Sequence, residues 1–67
     1  MTPVGARIDE TGVLVRERGG FVLRRDLGGR WRLDIPRMPV DHVEKRVRIT
    51  GIVVADDLVE VDGVAFA

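Results

Sequence analysis

Short apolar runs rich in valine, isoleucine and leucine follow one another along this chain, separated by glycine pairs or acid pairs. That is the punctuation of strands rather than of helices. Five strands fit the pattern: residues 7–18, 21–27, 30–35, 45–54 and 57–65. Gly19-Gly20 joins the first two and Gly28-Gly29 the next two, since glycine supplies the positive φ that tight hairpins need. Strands one to three therefore form a meander. In the PRMPVDHVEK stretch, Pro36 and Pro39 stop the sheet while Val40, Val43 and Val47 recur at helical spacing, which predicts one short helix over residues 39–45. Asp56-Asp57 marks a polar turn between the last two strands.

The second hairpin carries the chain's densest group of arginines. Phe21, Leu23 and Arg25 alternate with Val22, Arg24 and Asp26, while Trp31, Leu33 and Ile35 alternate with Arg30, Arg32 and Asp34. The apolar sets must share the inner face, so Leu23 is expected opposite Leu33 or Ile35, and a two-residue Gly28-Gly29 loop is excluded because it would set Leu23 against Asp34. Two three-residue loops remain. A Leu27-Gly28-Gly29 loop satisfies turn chemistry and places Arg24 opposite Arg32, a repulsion that an anion between them would relieve. A Gly28-Gly29-Arg30 loop pairs Arg24 with Asp34 and Asp26 with Arg32, a solvated face of ion pairs.

Gly12 and Gly51 interrupt strand patterns, where glycine marks a bulge or a sharp bend. Two such bends suit a small sheet that curls up and hides its edges. The order strand, strand, strand, short helix, strand, strand is that of the OB-fold. The runs GRWRLDIP and EKRVRITG, either side of the linker, resemble the W-x-L-x-x-P and G-K/R-x-V-x-V-x-G strands of small bacterial OB-fold proteins. The chain is most similar to a family of short uncharacterised bacterial proteins of unknown function, over roughly residues 11–64. Glu44 departs from that pattern, standing where it has glycine. The resemblance implies a fold and no catalytic residues. The expected architecture is mainly β, a five-stranded OB-like barrel formed by a single domain over residues 1–67, with residues 1–6 as a flexible N-terminus.

At 67 residues the core is small, and with no cysteine it has no disulfide to reinforce it. A 45% hydrophobic and 33% charged composition is that of a folded soluble domain. Eleven basic and eleven acidic residues cancel, which argues against strong sequence-independent nucleic-acid binding without excluding a local basic face. Neither a signal peptide nor a membrane span is legible, so a cytoplasmic location is expected.

No cofactor or metal is expected. His42 stands alone; Asp56, Asp57, Glu60 and Asp62 lack the spacing of a calcium loop; and there is neither serine nor cysteine to act as a nucleophile, so the chain is expected not to be an enzyme. Because OB-folds hold oligonucleotides on their second and third strands, Arg24, Arg32 and neighbouring Arg16 are the candidate phosphate contacts, although tyrosine is absent and Phe21 and Trp31 point inward. The uncharged tail, with Val64 and Phe66, must fold back over the sheet or enter a partner. The expected function is a non-catalytic interaction module that binds a protein partner or forms a homodimer through a strand edge and this tail. The alternative is weak single-stranded nucleic-acid binding on the arginine face.

Overall fold

The computed structural model describes residues 3–36 and 40–67. Its five strands are β1 Arg7–Glu17, β2 Gly20–Arg25, β3 Arg30–Asp34, β4 Arg46–Ala55 and β5 Leu58–Phe66. The chain is mainly β, and each strand lies within two residues of its expected limits. The sheet closes into a ring in the order β1-β2-β3-β5-β4, antiparallel throughout except where β3 runs parallel to β5.

Closure depends on β1, which serves two partners. Residues Arg7 to Val13 pair with β4, and Gly12 to Glu17 pair with β2. The strand changes hands at Gly12, where an added Cβ would lie 2.2 Å from the Arg24 carbonyl oxygen. Gly51 is the matching point on β4. It sits at a register shift against β5, and a Cβ there would lie 2.3 Å from the Glu60 carbonyl oxygen. Both glycines are needed for close backbone approach.

The ring encloses Ile8, Leu14, Leu23, Trp31, Leu33, Val47, Ile49, Val53, Val59 and Val61, with Phe21, Ile35, Val43 and Val64 packed against them. Side chains of this size fill a small closed sheet. Glu10, on the inward parity of β1 with Ile8 and Leu14, accepts hydrogen bonds from Arg25 (Nε to Oε1, 2.6 Å) and from the Trp31 indole (Nε1 to Oε2, 3.2 Å). The Arg25 guanidinium lies 5.2 Å from the Trp31 ring centroid. The buried Trp31 N–H is thus satisfied, and Arg25 adds a cation–π contact.

Two expectations need correction. The β2–β3 hairpin adopts neither register. Phe21 stands opposite Leu33, Val22 opposite Arg32, Leu23 opposite Trp31 and Arg24 opposite Arg30. The loop still has three residues, but they are Asp26, Leu27 and Gly28. Gly28 N donates to Arg25 O, Arg25 N donates to Gly29 O, and Gly28 and Gly29 both have positive φ. This pairing also keeps the apolar sets together, and it lets glycine take the left-handed positions that a three-residue hairpin requires.

The linker helix is also absent. Among the described residues of the linker a single 3-10 turn, Val40–His42, forms; Pro39 lies outside them. Glu44 has φ 62°, a left-handed conformation in which no right-handed helix continues, and its N–H donates to Leu14 O. Glycine adopts this conformation at less cost than glutamate. Ahead of β1, Gly5 N donates to Val53 O, and Val53 N to Ala6 O.

Two opposite substitutions test this account of closure. Gly12→Ala should lower the urea unfolding free energy by about 2 kcal/mol or more, because backbone rather than a pliant side chain meets the new methyl. Glu44→Gly should raise it by about 1 kcal/mol through relief of the left-handed conformation. Equal urea midpoints for Gly12→Ala and the parent chain would contradict the close-approach argument.

Candidate binding groove

A groove of about 360 Å³ lies beside the outer faces of β2 and β3, between the β1–β2 turn and the β4–β5 turn. Glu17, Arg18, Gly19 and Gly20 form one wall; Arg30 and Arg32 of β3 line it, and Asp57 with Leu58 closes the far side. The two-residue Arg18-Gly19 turn is tight because Glu17 pairs directly with Gly20 and Gly19 takes φ 88°. Val22 belongs to the apolar floor, and it is only 5% exposed although it points away from the core cluster. Its direct cross-strand neighbours are Val15 and Arg32.

Those charges are paired across strands. Arg30 Nη2 donates to Glu17 Oε1, a contact that spans β2. Arg32 donates from Nε and Nη2 to Asp57 Oδ1, at 2.9 and 2.7 Å, and Arg32 N donates to Asp57 O at 2.7 Å. The hydrogen bonds from Arg32 hold the Asp57 carboxyl below the usual aspartate range, and Asp57 in turn raises Arg32. Arg18 has no ion-pair partner among the described residues.

The arginines expected to act together are divided. Arg24 and Arg32 share the outer face, with Arg30 directly opposite Arg24. Arg16 stands opposite Phe21, on the other side of the sheet. Glu17 and Arg18 were not singled out from the sequence, and Asp57 was considered only in a polar turn and a cation site; alternation along β3 places Arg30 beside Arg32, but no local signal links either to Glu17 or Asp57.

The tail folds back. Val64 and Phe66 belong to β5, where Ile49 faces Val64 and Val47 faces Phe66. Phe66 stacks on His42 with ring centroids 4.3 Å apart, and Lys45 Nζ lies 5.7 Å from the Phe66 centroid. On its other side β5 pairs with β3 only through Leu58–Glu60, so among the described residues no strand covers that edge from Val61 to Phe66. Asp62, considered as part of a cation site, instead accepts from Thr50 and pairs with Arg7.

Cross-strand ion pairs clothe the rest of the ring. Arg48 holds Asp9, while Arg46 and Thr11 hold Asp26. Hydrogen bonds from these partners lower the carboxyls of Asp9 and Asp26, as Thr50 and Arg7 do for Asp62. A carboxyl lowered in the folded state adds stability above its unfolded value and loses it as pH falls through the folded one. The urea midpoint should therefore be flat between about pH 7 and pH 5 and fall once pH drops below the ordinary value of 3.8. An unchanged midpoint down to about pH 2.5 would show that these pairs do not contribute.

The chain matches no curated protein and no solved structure. A family model does match, over residues 11–67, a span that contains all of β2 to β5 and both walls of the groove. The chain therefore belongs to the family described as protein of unknown function (DUF5818).

Proposed function

We propose that this chain is a non-catalytic, OB-like interaction module whose partner is a protein. The strand order supports the OB-like reading: β1 pairs with both β2 and β4, β3 runs parallel to β5, and the ring has five strands. In OB-folds the face of strands two and three and the adjoining turns hold ligands, and the groove lies in that place. The observation that carries the reading is the groove's composition. An apolar floor is rimmed by arginines already paired with Glu17 and Asp57, which is the mixed surface of a protein contact rather than the open cationic track of a phosphodiester site. The uncovered β5 edge offers the same module a route to self-association by strand addition, with Val64 and Phe66 at its end.

One observation favours the second reading, weak single-stranded nucleic-acid binding. Arg24 faces Arg30 on the outer sheet surface, with Arg18 in the neighbouring groove and Arg32 one alternate position along β3. Against it, Trp31 is buried and Phe21 is half-buried, so no aromatic platform supports bases there.

Fluorescence anisotropy with a labelled mixed-sequence single-stranded oligonucleotide separates the two. At about 50 mM salt the protein-partner reading expects no binding below about 100 µM. Micromolar binding that weakens with salt and drops in Arg24→Gln would overturn it in favour of the nucleic-acid reading. Sedimentation equilibrium over the same samples reads self-association. A mass that rises with concentration, and stops rising in Ala65→Lys, assigns a second copy to the β5 edge.

A further inference from the structure

The groove already holds two carboxylates, and both are its own. Glu17 sits on Arg30 and Asp57 on Arg32. Arg30 and Arg32 alternate on one face of β3, so their attachment points are about 6.6 Å apart, the repeat of every second residue in an extended strand. We propose that the groove binds an extended acidic segment of a partner protein, with carboxylates at alternate positions displacing Glu17 and Asp57 from Arg30 and Arg32. This rests on the reading of the chain as a protein-binding module.

Several observations converge on that ligand. Glu17 and Asp57 show the geometry the arginines accept, since carboxylate oxygens lie within hydrogen-bond distance of guanidinium nitrogens. Both pairs are exposed, with side chains 40% to 58% accessible, so they contribute little and yield to a competitor. Three arginines against two carboxylates leave the groove with a net positive charge, and Arg18 is uncommitted among the described residues. The Arg30–Glu17 contact crosses β2, the strand that carries Val22, so its opening offers apolar surface to the aliphatic residues flanking the acids. The internal carboxylates thus act as a removable cover. A partner with uncharged polar groups at those positions gains nothing from displacing them, which makes the carboxylate pair the source of specificity.

Amide chemical shifts of the labelled full chain, at low salt, test this with three probes. These are acetyl-Leu-Thr-Glu-Thr-Glu-Thr-Leu-amide, the same peptide with glutamine for glutamate, and a mixed-sequence single-stranded oligonucleotide. The glutamate peptide should shift Gly19, Gly20, Val22 and Leu58 saturably, with affinity in about the 0.1–1 mM range. The glutamine peptide should bind at least about tenfold more weakly. In Glu17→Gln/Asp57→Asn, whose changes are on the surface, the glutamate peptide should bind about tenfold more tightly, because its competitors are gone. Equal affinity for the two peptides would overturn the carboxylate inference and leave the protein-binding module standing. No groove shifts with either peptide up to about 5 mM would overturn the inference outright. Groove shifts with the oligonucleotide and with neither peptide would overturn both this inference and the module reading. The peptide comparison uses the parent chain alone, so it stands even if the double variant fails to fold.

Discussion

Every feature of this molecule depends on two backbones passing closer than side chains permit. β1 leaves β4 for β2 at Gly12, beside the Arg24 carbonyl, and β4 shifts register against β5 at Gly51, beside the Glu60 carbonyl. Without these approaches the five strands would remain an open sheet with apolar edges. With them the ring encloses Trp31 and its aliphatic neighbours, and the β1–β2 and β4–β5 turns come to flank β3, which creates the groove. The functional surface is a consequence of closure.

Charge is arranged to suit that closure. A zero net balance becomes a set of cross-strand pairs: Arg7 with Asp62, Arg48 with Asp9, Arg46 with Asp26, Arg30 with Glu17 and Arg32 with Asp57. The inward pair differs in kind. Glu10 and Arg25 lie only 14% and 26% accessible and also satisfy the Trp31 indole, so they hold a core residue in place rather than merely solvating the surface. Removing Glu10 alone would leave a buried N–H and an unpaired guanidinium. The arginine hairpin that dominates the sequence therefore divides its cations among three tasks: Arg25 supports the core, Arg30 and Arg32 line the groove, and Arg24 faces solvent.

Strand limits were legible because apolar alternation and glycine punctuation act over a few residues, the range on which backbone preference operates. Register was not. Alternation allows any pairing that preserves inward parity, so Leu23 opposite Trp31, Leu33 or Ile35 satisfies it equally. The choice was made where Gly28 and Gly29 could both turn left-handed after Asp26. The linker helix failed for a similar reason. The spacing of Val40, Val43 and Val47 fits a helix, but Glu44 N donates to Leu14 O and Leu14 N to Lys45 O, and these bonds hold the chain in a turn instead.

From the sequence alone came the mainly β class, the five strands, the two bending glycines, the inward hairpin residues Leu23, Trp31 and Leu33, and the absence of serine and cysteine. Those follow from side-chain period and composition, which are local. The tertiary structure decided which charges meet. Glu17 and Arg30 come from strands that do not pair with each other, and Asp57 reaches Arg32 only because β5 returns parallel to β3. No linear spacing encodes such meetings, because they depend on how far the ring twists before it closes.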